Sequence, residues 1–217
     1  MKQYIKSYHA FWPVKTWMKP CVYLLYPLII IVGLYLLSHK LMYFPAICMG
    51  FACSLAIAVE IMLDYFVFGG IASRETNRLE YLKTSVKGIL LLKGSLMTDA
   101  VRRLLSITII ITGSYSVVVC GQQIDWRYTL LQLFMCILSI YLLAETGLLI
   151  TRFFVNWWIN IAVLYVLGNV AVVFGTFIPR CNIRIWMAVL LVLLGIGVTV
   201  IGRRLILKRA EESYYDR

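Results

Sequence analysis

Six long stretches of the chain carry no charged residue, and the basic residues lie almost entirely in alternate gaps between them. The stretches, 17 to 27 residues long, are Pro20–Ser38, Leu41–Val59, Leu104–Ile124, Tyr128–Ala144, Phe153–Pro179 and Ile185–Gly202. An α-helix rises about 1.5 Å per residue, so roughly 20 residues cross a hydrocarbon core about 30 Å thick. Because unpaired backbone groups are costly in lipid, such segments must be helical. The sequence therefore predicts an all-α, polytopic membrane protein with six transmembrane helices.

The distribution of the 21 lysine and arginine residues predicts the orientation of these helices. Seventeen of them precede the first stretch, follow the second, fourth or sixth stretch, and so share one side of the membrane. The four on the other side are Lys40, Arg127, Arg180 and Arg184. Because lysine and arginine are enriched in cytoplasmic loops, we expect both termini in the cytoplasm. The formal charge of +11, placed in this way, favours membrane lipid as a partner rather than nucleic acid.

The segments outside the six uncharged stretches divide the chain into three predicted parts. Residues 1–19 are interpreted as an interfacial amphipathic segment, although an aromatic belt at the end of the first helix explains them equally well. Residues 20–202 form the six-helix domain, with a long cytoplasmic loop at 69–103, and residues 203–217 form a cytoplasmic tail. The residues that recur at helical spacing in the first part are Tyr4, Ile5, Tyr8, Phe11 and Trp12.

The long cytoplasmic loop contains a pattern typical of a short amphipathic helix. Leu79, Leu82 and Val86 form an apolar stripe at i, i+3 and i+7, and Glu80 and Lys83 lie beside it. A loop whose only role was to join two helices would need no more than a few polar residues. We therefore interpret this segment as a docking element for a cytoplasmic partner.

Charged residues inside a membrane are costly and are the best candidates for a site. Those at the predicted cytoplasmic boundary are Glu60, Asp64, Arg102, Arg103, Glu145 and Arg152. Glu60 and Asp64 share one helix face, as do Glu145 and Arg152, and Asp99 lies within one turn of both neighbouring arginines. They predict an intramembrane ionic cluster that fixes how the second, third and fourth helices meet. The cluster could also transmit movement of the loop to the helices, whereas a proton relay would need acids near the midplane.

Two groups of polar residues on the later helices permit either a polar cavity or hydrogen bonding between helices, of which hydrogen bonding is the commoner use. They are Gln132, Ser139 and Thr146 on the fourth helix, and Asn156, Asn160 and Asn169 on the fifth.

The sequence lacks the motifs that would support catalysis by this chain. It has no His-Glu-x-x-His, no Gly-x-Ser-x-Gly and no Gly-x-x-x-x-Gly-Lys motif, and its six cysteines show no paired metal-type spacing. The cysteines are interpreted as small apolar packing residues. We expect no enzymatic activity, metal or cofactor in the chain itself.

With its residues arranged in this way, the chain resembles the integral-membrane permease subunit of bacterial ABC exporters of the second type. The most specific match is the run Arg74-Glu75-Thr76-Asn77-Arg78-Leu79-Glu80-Tyr81-Leu82-Lys83-Thr84-Ser85, which looks like the acidic, Leu-Glu-x-Leu and small-residue pattern of that family's coupling helix. The chain departs from the pattern at Val86, where proline is common, and at Asn77-Arg78, where Gly-Thr is usual. The loop Pro179–Arg184 is also short for the family's re-entrant helices, unless the fifth helix ends near Gly168.

The resemblance implies a permease of the bacterial plasma membrane that lacks its own nucleotide-binding domain. It would act with a second permease subunit, identical or related, and with two ABC ATPase subunits that bind ATP and magnesium. Leu79, Glu80, Leu82 and Lys83 would belong to the element that contacts the ATPase. An alternative from another functional class is a non-transport scaffold or sensor that holds a cytoplasmic partner through the same loop.

Overall fold

The computed structural model describes residues 21–40, 45–69, 71, 87–119, 126–154, 156–178 and 184–215. Within these ranges the chain is helical and contains no β-strand. A single π-helical turn, Cys21–Leu25, leads into the first of six α-helices: α1 (Tyr26–Lys40), α2 (Pro45–Phe68), α3 (Gly88–Val119), α4 (Trp126–Phe153), α5 (Trp157–Phe177) and α6 (Ile185–Tyr215). The predicted interfacial segment 1–19 and the predicted docking residues Leu79, Glu80, Leu82, Lys83 and Val86 lie outside the described residues.

Four of these helices are long and apolar enough to cross a membrane, which indicates a membrane-embedded helical protein. Their candidate spanning segments are Ile47–Phe68, Thr129–Phe153, Trp157–Phe177 and Ile185–Arg209. The apolar part of α1 is shorter, at Tyr26–Leu37. Helix α3 has 32 residues, but three of them in its middle are charged: Asp99, Arg102 and Arg103.

Helices α3 and α6 extend beyond the uncharged stretches that predict them. Residues 88–103, assigned from sequence to a cytoplasmic loop, form the first half of α3, and residues 203–215, assigned to a tail, continue α6. The reason is a buried face that hydropathy alone does not reveal. Leu92 and Leu96, one turn apart, are buried and pack in a common cluster with Phe68 of α2 and Ile206 of α6.

Helix α5 runs without interruption from Trp157 to Phe177. The sequence leaves open a fifth helix that ends near Gly168 and a following segment that re-enters the membrane. In the structure Gly168 lies inside the helix and is buried, with a position close to Ser54 of α2. A glycine at this position therefore serves close helix packing rather than a helix break.

The two largest apolar clusters of the described residues lie in the interior of the bundle. The larger one joins α2, α3, α4 and α5 through Met49, Cys53, Ile57, Ile61, Ile107, Ile111, Tyr115, Cys136, Ile140, Ala144, Leu148 and Ala171. The smaller one joins the end of α2, the start of α3 and α6 through Val67, Phe68, Ile71, Leu92, Leu96 and Ile206. On α3 the buried charged residues lie between these two clusters. On α2 Asp64 lies between them, whereas Glu60 lies beside Ile57 and Ile61 of the larger cluster.

Helices α2 and α5 make the most extensive contact among the described helices. A Cβ atom built on Gly50 would lie 2.6 Å from the Thr176 hydroxyl oxygen and 2.7 Å from the Val172 carbonyl oxygen of α5. One built on Gly175 would lie 2.8 Å from the Gly50 Cα. The two backbones therefore touch at a position where any side chain would push the helices apart.

We predict that Gly50→Ala destabilises the protein by about 1–3 kcal/mol, because the added methyl group overpacks the α2–α5 contact. Gly197→Ala on α6 is the matched control, since a Cβ there meets no atom within 4 Å. The control should be neutral or slightly stabilising because alanine is the better helix former. Thermal unfolding followed by tryptophan fluorescence in one detergent checks both variants. Equal melting temperatures for the two variants would contradict the packing.

Candidate functional site

Seven charged side chains from three helices meet in the interior of the bundle, and we call them the ionic layer. They are Glu60 and Asp64 on α2, Asp99, Arg102 and Arg103 on α3, and Glu145 and Arg152 on α4. All seven are buried, with relative exposures of 0 to 5%. The six residues that the sequence singles out are thus brought together, and Asp99 joins them.

Arg102 connects α3 to α2 through a two-pronged contact. Its Nη1 donates to Glu60 Oε1 at 3.1 Å and its Nη2 donates to Glu60 Oε2 at 2.6 Å. The planar guanidinium matches the carboxylate in this geometry, which makes the contact stronger and more specific than a single hydrogen bond. Arg102 also donates from Nη2 to Asp99 Oδ1 at 3.2 Å within its own helix.

Arg103 connects α3 to α4 from the adjacent position. Its Nη1 donates to Glu145 Oε1, and its Nη2 donates to Asp99 Oδ2. The side chain is fully buried, and its Nε has no hydrogen-bond partner although it lies 3.7 Å from Glu60 Oε2. Two consecutive arginines on one helix therefore hold two different neighbouring helices.

Arg152 completes the layer by connecting α4 to α2. Its Nε donates to Asp64 Oδ2 at 2.9 Å, and its Nη2 donates to Asp64 Oδ1 and, at 3.1 Å, to Asp99 Oδ2. Its guanidinium also lies 5.4 Å from the centre of the Phe68 ring, in a cation–π contact. Asp99 therefore accepts hydrogen bonds from all three arginines and is the centre of the layer.

Sequence reasoning missed two contributors to the layer. The Tyr26 hydroxyl, on α1, donates to Glu60 Oε1 at 2.5 Å and brings a fourth helix to the site. Phe68 faces Arg152 from the smaller apolar cluster. Neither has a sequence signal, because a tyrosine or phenylalanine in an apolar helix is ordinary. The central role of Asp99 was visible only as its one-turn spacing from Arg102 and Arg103.

The layer holds four carboxylates and three guanidiniums, so its formal charge is −1 when every group is ionised. The hydroxyl of Tyr26 supplies a neutral donor beside the extra negative charge. Buried ion pairs contribute little net stability because desolvation offsets their attraction, but removing one partner is strongly destabilising. We conclude that the layer specifies which helix faces meet, more than it stabilises the fold as a whole.

Each arginine of the layer is within 4 Å of at least two carboxylates that belong to different helices. Asp99 is shared by all three arginines, so a small shift of one helix would lengthen one contact while another shortens. The contacts of α2, α3 and α4 in this network are therefore coupled through Asp99.

The other predicted polar residues have separate roles. Gln132 of α4 accepts a hydrogen bond at 2.9 Å from the Tyr115 hydroxyl of α3, which is a contact between helices. Thr146 and Asn169 bond to carbonyl oxygens of their own helices, and Asn156 caps the start of α5. Ser139 is buried, and so is Asn160, whose side-chain nitrogen and oxygen have no hydrogen-bond partner.

The described part of the chain contains no group of three or more His, Cys, Asp or Glu side chains arranged to hold a metal ion. Within the ionic layer, arginines lie between the carboxylates and occupy their oxygens. Cys53 and Cys136 are free thiols buried in the larger apolar cluster, and Cys48 is a free thiol buried with Leu34 and Ala52 between α1 and α2. The chemistry of the site is therefore that of ion pairing between helices.

Comparisons with known proteins found no match among protein-family models, curated proteins or solved structures.

We predict that Arg103→Met destabilises the protein by about 3–5 kcal/mol, because it leaves the carboxylates of Asp99 and Glu145 buried with one cation fewer. Arg204→Met, at an exposed position of α6, is the matched control and should change stability little. Adding Glu145→Gln to Arg103→Met should recover part of the loss by removing the surplus charge. Unfolding by a denaturing detergent and the monodisperse fraction on size exclusion check these variants. Equal behaviour of Arg103→Met and Arg204→Met would contradict the assigned role.

Proposed function

We propose that this protein is the permease subunit of an ATP-driven ABC transporter that exports its substrate. The observation that carries the proposal is the position of the ionic layer on α2 and α3. Glu60 and Asp64 precede the end of α2 by one to two turns, and Asp99, Arg102 and Arg103 follow the start of α3. These are the two helices that the segment containing the predicted coupling element connects.

The coupling mechanism follows from this connection. When ATP binding brings the ATPase subunits together, they displace the segment around Leu79–Val86, and α2 and α3 move with it. The smaller apolar cluster holds the ends of α2 and α3 against α6, so the two helix ends move as a unit. Exchange of partners around Asp99 then lets α4 follow without leaving a buried charge unpaired.

The complete transporter would contain two permease subunits, identical or related, and two ATPase subunits that supply ATP and magnesium. The core of one bundle is packed with apolar side chains such as Met49, Ile57 and Ile140, all fully buried. A transport path would therefore run between two permease subunits rather than through one. In this arrangement six helices cross the bacterial plasma membrane and both termini are cytoplasmic.

The second candidate is a non-transport scaffold or sensor that holds a cytoplasmic partner through the same segment. The closed apolar core also suits this function, because a scaffold needs no path for a substrate. The two candidates differ in whether the partner hydrolyses ATP.

We predict that the tagged chain, purified from its native membranes and reconstituted in lipid vesicles, carries an ATPase subunit and shows vanadate-sensitive ATP hydrolysis. Leu82→Asp should abolish this activity without loss of the helical fold, because a charge would replace an apolar docking residue. Thr84→Asp is the matched control, since it lies off the predicted apolar stripe and should retain most of the activity.

Copurification is followed by mass spectrometry and the helical fold by circular dichroism. A chain that purifies with a partner lacking nucleotide-binding motifs, and without ATP hydrolysis, would favour the scaffold. Equal ATP hydrolysis by Leu82→Asp and the unmutated chain would contradict the docking assignment.

A further inference from the structure

The last turns of α6 have one face packed on the bundle and an opposite face that is exposed. Ile206 is fully buried in the smaller apolar cluster, and Gly202, one turn earlier, is buried close to Leu149 of α4. The exposed residues are spaced at i, i+3, i+4 and i+7 and therefore share one side of the helix: Ile201, Arg204, Leu205 and Lys208. We call these four residues the basic face of α6.

The basic face combines positive charge with exposed apolar surface at the same height. Leu205 directly follows Arg204 and is 50% exposed, and Ile201, one turn before Leu205, is 59% exposed. Ile201 continues a row of exposed apolar residues, such as Leu194, along the candidate spanning segment Ile185–Arg209. The cations therefore stand at the edge of the surface that faces hydrocarbon, where long basic side chains reach the headgroup layer.

The order of residues along α6 matches the order of layers in one leaflet of an anionic membrane. Residues 185–202 carry no charge, and they are followed first by four cations and then by two acids: Arg203, Arg204, Lys208, Arg209, Glu211 and Glu212. The backbone is helical from Ile185 to Tyr215, so in a spanning helix the order in sequence is also the order in depth. In a phospholipid leaflet, hydrocarbon is followed by the charged headgroups and then by water. The four cations thus lie at the level of the phosphates, and the two acidic positions lie beyond it.

A second helix places a cation at the same level. Leu92 of α3 shares the smaller apolar cluster with Ile206, and the next residue, Lys93, is exposed. Lys93 lies between two exposed apolar residues of its own helix, Leu90 and Met97, each about one turn away. Exposed cations on two helices therefore mark one headgroup layer at this end of the bundle.

Charge and apolar exposure together decide which occupant fits the basic face. A second copy of the chain packed symmetrically on it would bring Arg204 and Lys208 against the same cations, which repel. A soluble acidic partner would pair with the cations but would leave Leu205 without an apolar contact. An anionic phospholipid satisfies both requirements, because its phosphate accepts hydrogen bonds from a guanidinium and its acyl chain packs on the apolar residues. A zwitterionic lipid adds a positive group that the basic face repels.

We infer that the basic face of α6 is a binding site for an anionic phospholipid of the adjacent leaflet. The phosphate lies against Arg204, with Lys208 one turn farther along the helix, and an acyl chain runs back along Ile201. Arg209 is exposed one turn beyond Leu205 and adds to the positive potential that selects a headgroup of net negative charge. Such a site would exist whether the protein is a transporter or a scaffold.

The experiment titrates phosphatidylglycerol and phosphatidylcholine with identical acyl chains onto the delipidated protein and counts bound lipid by native mass spectrometry. The unmutated chain should bind phosphatidylglycerol more tightly. One cation near an anionic lipid surface changes affinity roughly fivefold, so Arg204→Gln should weaken phosphatidylglycerol binding by about that factor. Arg204→Lys keeps the charge and should retain most of the affinity. Arg184→Gln is the matched control, since it removes an exposed cation beside the other end of α6, and should leave the affinity unchanged.

A second arm locates the lipid with phosphatidylglycerol that carries a photoreactive diazirine near the top of one acyl chain. Irradiation in vesicles should label the peptide that contains Ile201 and Leu205, and the phosphatidylcholine analogue should label it several-fold less. High salt should reduce this difference, because exposed charges are screened.

Equal affinities of the two lipids for the unmutated chain would refute the site, and so would equal effects of Arg204→Gln and Arg184→Gln. Equal labelling of the α6 peptide by both photoreactive lipids would refute it as well. If a crosslinker on Leu205→Cys in native membranes yields a protein adduct instead of a lipid adduct, a protein occupies the basic face and the lipid site is wrong.

Discussion

Pairing of buried charges constrains how α2, α3 and α4 can assemble. A guanidinium or carboxylate removed from water must meet an opposite charge and have its hydrogen bonds made, or the helices will not pack stably. In this protein each of the three helices supplies charges that pair with charges on the other two. Apolar contacts can be made in several rotations of a helix, whereas the contacts of Arg102, Arg103 and Arg152 select one.

The ionic layer adjoins both apolar clusters of the bundle. Their side chains keep water out of the layer, which strengthens each ion pair and makes an unpaired charge costly. Packed apolar clusters deform little, so a displacement at the ends of α2 and α3 reaches the layer with little loss. Because Asp99 accepts hydrogen bonds from all three arginines, a displacement of one helix alters the contacts of the other two. The proposed coupling to an ATPase would use this connection.

The sequence predicts the helical class and the participants in the ionic layer well, and it predicts their pairing poorly. Glu60, Asp64, Glu145 and Arg152 stand out because charges are rare in apolar helices, and helical spacing groups them by face. Which carboxylate meets which arginine depends on helix rotations that no local pattern encodes. The first half of α3 was assigned to a loop because its charged residues lower its hydropathy, while Leu92 and Leu96 bury only one face. Tyr26 was missed because its partner is 34 residues away.

The most direct test of the ionic layer is a double-mutant cycle on Asp64 and Arg152, which are 88 residues apart in sequence and hydrogen-bonded in the structure. The free energy of unfolding is measured for the unmutated chain, Asp64→Asn, Arg152→Met and the double variant in mixed micelles. We expect an interaction free energy of about 1–3 kcal/mol between the two side chains. The double variant should lose less unfolding free energy than the two single variants lose in sum. Effects that add to within about 0.5 kcal/mol would contradict it, because they would mean that the two side chains do not interact.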